Sequence, residues 1–152
     1  VVHLGVVLVV LGITGSMNWS QEKNATLAPG ESVGLGRFTV RFEGLTVKER
    51  PTHARVEAAF RVFNDRHDLG VLSPALKYFP SQQSPIGRAV VRMGWSEDLY
   101  LILSGFSEVR ASQATVKVLV RPLVMWIWVG GGVIVLGALL ALWPFGRRAA
   151  EA

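Results

Sequence analysis

The sequence predicts a membrane-protein fragment: two transmembrane α-helices flanking a small all-β extracytoplasmic domain, either a barrel or a sandwich. Three observations predict it. Residues 1–21 and residues 122–146 contain no Asp, Glu, Lys or Arg. Between Glu22 and Arg121 lie 14 Lys plus Arg and 10 Asp plus Glu, the charge density of an ordinary soluble domain. That middle stretch alternates apolar and polar residues and is interrupted by turn-forming residues.

Taken in order, residues 1–16 read as the C-terminal portion of a transmembrane helix. They are apolar except for His3 and a few small residues, and too short to span a bilayer alone. The chain starts at Val1 with neither an initiator Met nor a basic n-region, so this is not a signal-peptide pattern. The expectation is a helix whose earlier turns lie upstream, in a longer protein. A helix stop at Gly15-Ser16 would place His3 ~18 Å from that end, well inside the bilayer.

Residues 17–121 read as the β domain. Val33–Glu43 puts Phe38, Val40 and Phe42 on one face and Arg37, Thr39, Arg41 and Glu43 on the other. Arg55–Phe63, Asp98–Ser104 and Ala114–Arg121 repeat the alternation; Leu69–Phe79 and Arg88–Met93 show it more weakly. Turn signals fall at Pro29-Gly30, Gly44, Asn64-Asp65, Gly70, Pro80-Ser81, Ser84-Pro85, Gly94 and Ser104-Gly105. Five to seven strands are expected, with Asn18–Ala28 as a lead-in tether. The last strand runs almost directly into the next helix, which should hold the domain near the bilayer surface.

Residues 122–143 read as a complete transmembrane helix. Leu123–Leu142 has 20 residues without a charge, enough at ~1.5 Å per residue to cross a hydrocarbon core of ~30 Å. Trp126, Trp128 and Trp143 lie near its ends, where indoles favour the headgroup level. Pro122 is placed to open the helix. Gly130, Gly131, Gly132, Gly137, Ala138 and Ala141 offer small surfaces for a neighbouring helix. Residues 144–152 form a short tail whose Arg147 and Arg148 favour a cytoplasmic C-terminus, which puts the β domain in the periplasm of a Gram-negative cell.

Several function classes are excluded or weakened. The basic residues are scattered rather than clustered with stacking aromatics, which argues against nucleic acid as a partner. With no Cys there is no disulfide, zinc-thiolate site or Cys nucleophile. There is no phosphate-binding Gly-rich loop, no Ser-His-Asp pattern and no nucleophile elbow. Glu97 and Asp98 are neighbours on a strand and so point to opposite faces, unlike a general acid–base pair. Asp65, His67 and Asp68 are candidate metal ligands that a solvated turn explains equally well, and His53 lies in a polar stretch. His3 is the most informative residue. An imidazole inside a bilayer points into a protein interior, a proton path or a cofactor, or bonds across a helix interface. Neutral imidazole is also a ligand of heme iron.

Certain segments resemble a known family. In order they are His3-Leu4-Gly5, Leu27-Ala28-Pro29-Gly30-Glu31, Phe38-Thr39-Val40-Arg41-Phe42-Glu43-Gly44, Asp98-Leu99-Tyr100, Val116-Lys117-Val118, and Arg121-Pro122-Leu123-Val124-Met125-Trp126-Ile127-Trp128. Together they resemble the C-terminal part of the cytochrome c-type biogenesis protein CcmF family, the heme lyases of bacterial system I cytochrome c maturation. The nitrite-reductase heme lyases are close relatives over the same stretch. The sequence departs from the family pattern at Ser73-Pro74-Ala75-Leu76-Lys77-Tyr78 and at Ile86-Gly87-Arg88-Ala89.

The resemblance implies a multi-pass inner-membrane protein that attaches heme to apocytochrome c. It implies partners: the upstream membrane helices, a periplasmic heme chaperone, apocytochrome c, other cytochrome c maturation membrane proteins and the lipid bilayer. It also implies a structural heme b as cofactor, with His3 as one axial ligand of the heme iron and the β domain as a docking surface. No residue of this stretch is assigned to the bond-forming chemistry, so whether this part is itself enzymatic stays open. The alternative is a non-catalytic two-span membrane scaffold with a protein-binding periplasmic β domain.

Overall fold

The computed structural model describes residues 1–50, 53–79, 84–107 and 113–142, with only the backbone given for Glu49, Arg50 and His53. In chain order the elements are α1 (Val2–Asn18), β1 (Gln21–Leu27), β2 (Ser32–Leu35), β3 (Phe38–Arg50), β4 (His53–Asn64), β5 (His67–Leu72), β6 (Ala75–Tyr78), β7 (Ile86–Arg88), β8 (Val90–Arg92), β9 (Glu97–Ser107), β10 (Gln113–Pro122) and α2 (Val124–Leu142). They form two compact units. One holds residues 1–19, 94–97 and the chain from Arg121 onward, and the other holds residues 20–93 and 98–120.

The β unit consists of two sheets. One runs β1-β10-β9-β8; the other runs β2-β3-β4-β6-β7, with β5 also paired on β4. The alternation in the sequence decides which side chains are buried. From the second sheet Val40, Phe42, Ala58, Phe60 and Val62 turn inward, and from the first Leu99, Leu101, Leu103, Val116 and Val118; none is more than 1% exposed. Phe42 and Phe60 meet with ring centroids 5.2 Å apart in a tilted pair. Two aromatic rings and a layer of aliphatics between two sheets make a sandwich, one of the two expected architectures.

Ten strands are present among the described residues, more than expected, and the surplus has local causes. The stretch Val33–Glu43 is not one strand. Gly36, at φ +60°, turns it into a hairpin that pairs Leu35 with Phe38 and Ser32 with Arg41. Leu69–Phe79 and Arg88–Met93 fall on two strands each. Gly44 is not a turn: β3 passes through it, with a bulge where the register to β4 shifts between Phe42 and Gly44. Gly105 likewise lies within β9. Within the expected tether Asn18–Ala28, Gln21–Leu27 forms β1, which pairs with Ala114–Val120 of β10. Its polar residues face water on an edge strand, so by composition it reads as a loop.

The Ala28-Pro29-Gly30-Glu31 corner carries the chain from the first sheet into the second. Pro29 supplies the second position of a type II turn and Gly30, at φ +90°, the third. The Glu31 N–H donates to Ala28 O at 2.9 Å, and the Ala28 N–H donates to the Glu31 carboxylate at 2.7 Å. Gly30 N–H and Glu31 O then bond the two backbone groups of Phe42 at 2.7 and 2.9 Å. The corner is therefore locked to β3, beside the fully buried Phe42.

Pro122 does not open the second helix. It ends β10, and Leu123, in the left-handed region at φ +61°, makes the change from strand to helix. Proline biases the residue before it toward extended backbone, so Arg121 belongs with the strand. The expected tail 144–152 with Arg147 and Arg148, the indole of Trp143 and the Pro80-Ser81 turn signal lie outside the described residues.

Candidate functional site

α2 has 19 residues and is long and apolar enough to cross a membrane; α1, with 17, is a shorter apolar helix. Neither carries an acidic residue in its first turn or a basic one in its last. α1 runs past the expected stop at Gly15-Ser16 because two bonds close its last turn. The Asn18 amide donates to Thr14 O at 2.9 Å, and the Trp19 N–H donates to Gly15 O at 3.1 Å.

The two helices touch along glycines. A Cβ added at Gly5 would lie 2.8 Å from Gly130 O, and one added at Gly130 would lie 2.8 Å from Gly5 O, so backbone meets backbone there. Gly12 sits against Ile127 and the Leu123 carbonyl, Gly15 against the Leu123 side chain, and Gly137 against Val1 and Val2. The order of these contacts makes the pair antiparallel. Gly5 and Gly12, like Gly130 and Gly137, are seven residues apart, which returns a helix to the same face after two turns. Small residues on both sides allow this close approach. Gly131 and Gly132, also read as packing surfaces, face open space: an added Cβ would meet nothing within 4 Å.

His3 lies outside this seam. Two residues before Gly5, at ~100° per residue, it projects from nearly the opposite side of α1. There it is exposed, as are Val7, Val10, Thr14 and Met17 along the same flank. It sits 15 residues before Asn18, or ~22 Å from that end of the helix, deeper than an earlier stop would place it. The packing of α1 on α2 therefore leaves the imidazole on a face that another element can reach.

Several ion pairs line the outer faces of the β unit. Arg61 bridges Glu43 at 3.0 Å and Asp68 at 3.1 Å. Glu57 receives Lys48 at 3.1 Å and Arg55 at 2.6 Å. The Lys48 hydrogen bond, with smaller contributions from the Arg55, Lys48 and Arg88 charges, holds the Glu57 carboxyl below its ordinary value despite partial desolvation. Of the Asp65, His67 and Asp68 group, Asp68 is committed elsewhere. One of its oxygens accepts the Gly70 N–H at 2.8 Å and the other faces Arg61. Among the described residues no group of three or more His, Asp or Glu side chains is gathered where it could hold a metal. Asp98 is buried, at 5% exposed, and Glu97 is half-buried.

Sequence reasoning missed Glu31 as the clamp of the corner and Leu123 as the strained junction. The first had a signal, a Pro-Gly turn followed directly by a carboxylate. The second had none, because a left-handed leucine is not written in residue type.

A two-sheet β-sandwich in one chain with a glycine-seamed apolar helix pair, one helix of which is long and apolar enough to cross a membrane, defines the class. The family described as CcmF C-terminal beta-sandwich matches residues 18–122, and the chain belongs to it. It is 33% identical to the cytochrome c-type biogenesis protein CcmF of Pseudomonas fluorescens over 93% of this chain and 21% of that protein. Its identity to CcmF of Pseudomonas aeruginosa is 30%, over 91% and 21%. The probable cytochrome c-type biogenesis protein NrfE of Escherichia coli K12 is 27% identical over 97% of this chain and 26% of its own length. A solved structure named cytochrome c heme lyase CcmF superposes with TM-score 0.72 at 26% identity, over 94% of this chain and 24% of that one. The chain thus spans about a fifth of the length of the CcmF relatives it matches.

Proposed function

We propose that this chain is the C-terminal part of an inner-membrane heme lyase that serves cytochrome c maturation. In this reading α1 and α2 both cross the membrane, α1 as the end of a longer helix. The sandwich lies in the periplasm, and the C-terminus in the cytoplasm. His3 is one axial ligand of a membrane heme b whose other ligand comes from upstream helices. The sandwich offers a docking surface to the heme chaperone or to apocytochrome c. The family membership and the likeness to a heme lyase over 94% of the chain support the assignment.

The observation that carries the role of His3 is its position on α1. The glycine seam takes up the face toward α2, so the one titratable side chain of the helix is free for a third element. A charged or titratable group at that depth is costly against lipid and is retained where it has a partner. The test uses the full-length membrane protein, with the upstream helices in place. His3→Ala should diminish the b-type Soret absorption and lower the yield of holocytochrome c in cells that depend on this lyase. Unchanged heme content in that variant would overturn the role of His3.

A further inference from the structure

Four tryptophans gather at one end of the helix pair, and they come from three separate stretches of chain. Trp126 and Trp128 belong to the first turns of α2, at 42% and 74% exposed. Trp19, 66% exposed, follows the last residue of α1. Because the helices are antiparallel, the end of α1 lies at the beginning of α2, where Gly15 rests against Leu123. The fourth is Trp95, 80% exposed, carried by the segment Gly94–Glu97 that packs with the helices.

The position of Trp95 is fixed by backbone. The Leu123 N–H donates to Ser96 O at 2.9 Å, and the Trp126 N–H donates to Leu123 O at 3.1 Å. Both backbone groups of the left-handed Leu123 are thus held, one by the 94–97 bend and the other by the first turn of the helix. Gly94 is required at the root of the bend, since any Cβ there would strike the Glu97 carbonyl oxygen. An indole that is mostly uncovered yet tied to the residue preceding an apolar helix sits at the level where that helix would enter lipid.

We propose that the Gly94–Glu97 bend is an interfacial anchor, with Trp95 and Trp19 completing a belt that seats the helix pair in the lipid headgroup layer. An indole has an apolar body and one N–H donor, the combination that favours this layer over both water and hydrocarbon. Trp126 and Trp128 alone would anchor one helix only. With Trp19 and Trp95 the belt draws on α1, α2 and the bend between two strands, so it sets depth and resists tilt. The inference rests on the reading that α2 crosses a membrane, and its test is built to separate the two.

The chain has no Cys, so single cysteines introduced at Ser96, Val135 and Val71 can each carry a nitroxide without background. The labelled 152-residue chain is reconstituted in palmitoyl-oleoyl phosphatidylcholine vesicles. Collision rates with oxygen, which partitions into lipid, are compared with those of a water-soluble nickel chelate. Val135, on the exposed flank of α2, should read hydrocarbon, and Val71, on β5, should read water. Ser96 should read an intermediate, headgroup-level depth, and combining its label with Trp95→Ala should lower its oxygen-to-nickel ratio several-fold toward that of Val71. A Ser96 label as aqueous as Val71 while Val135 reads hydrocarbon overturns the anchor alone. A headgroup-level reading unmoved by Trp95→Ala overturns the part given to Trp95. An aqueous Val135 overturns the spanning helix and the anchor with it.

Discussion

The two units are held together in opposite ways. In the sandwich, large side chains interdigitate and the backbones stay apart, Phe42 against Phe60 being the centre of the core. In the helix pair, backbones touch at Gly5 and Gly130 while large apolar side chains such as Val7, Val10, Leu136 and Leu139 point outward. Burial of apolar surface drives the first arrangement. It gives no reason for the second in water, where the outward residues would be a penalty; surrounded by lipid they cost nothing, and close packing of small residues decides. With both helices in the membrane, as proposed, the chain folds for two different solvents.

Substitutions in either unit should affect that unit and spare the other. The largest effect is expected at the seam. Gly130→Leu places a branched side chain where the Gly5 carbonyl and Val9 already lie, and should force the helices apart. A Val2→Cys, Gly137→Cys pair should form a disulfide in membranes and lose it when Gly130→Leu is added, with sandwich stability unchanged. Next comes Phe60→Ala, which empties the centre of the core. It should cost about 3–5 kcal/mol in denaturant unfolding of the sandwich and leave that cross-link intact.

A smaller effect is expected from acid. The folded Glu57 carboxyl lies below its ordinary value of 4.5 because Lys48 and the neighbouring arginines favour its charged form. Its contribution is therefore fully present above the ordinary value and is lost as pH falls through the lowered folded one. Glu57→Gln should flatten the acid limb of sandwich stability and leave neutral-pH behaviour of the helices untouched. The smallest effect should come from Lys117→Ala, which breaks a 2.7 Å pair with Glu22 across β1 and β10. Both groups are substantially exposed, so the loss should stay within about 1 kcal/mol.

How legible each unit was in the sequence follows from the same contrast. Period-two alternation in β3, β4, β9 and β10 revealed the core strands, because burial on one face leaves a signature in residue type. β1 was invisible: Gln21, Glu22, Lys23 and Asn24 are exposed on an edge strand, where backbone pairing to β10 does the work and any polar residue serves. Glycines were the least readable residues. Gly36 makes a turn, Gly44 sits inside a strand, Gly130 touches another backbone and Gly131 touches nothing, yet all four look the same in sequence. His3 stands out in the sequence as the one imidazole in an apolar segment. Its direction was not, since that depends on which glycines form the seam.

Direction is what the account most needs tested. In the full-length membrane protein, His3→Gly should leave a vacant ligand position beside the heme, with weakened b-type absorption, and added imidazole should restore the spectrum. A spectrum unchanged by His3→Gly, or a weakened one that imidazole fails to restore while the protein stays folded, would contradict the placement of His3 on the heme-facing side of α1.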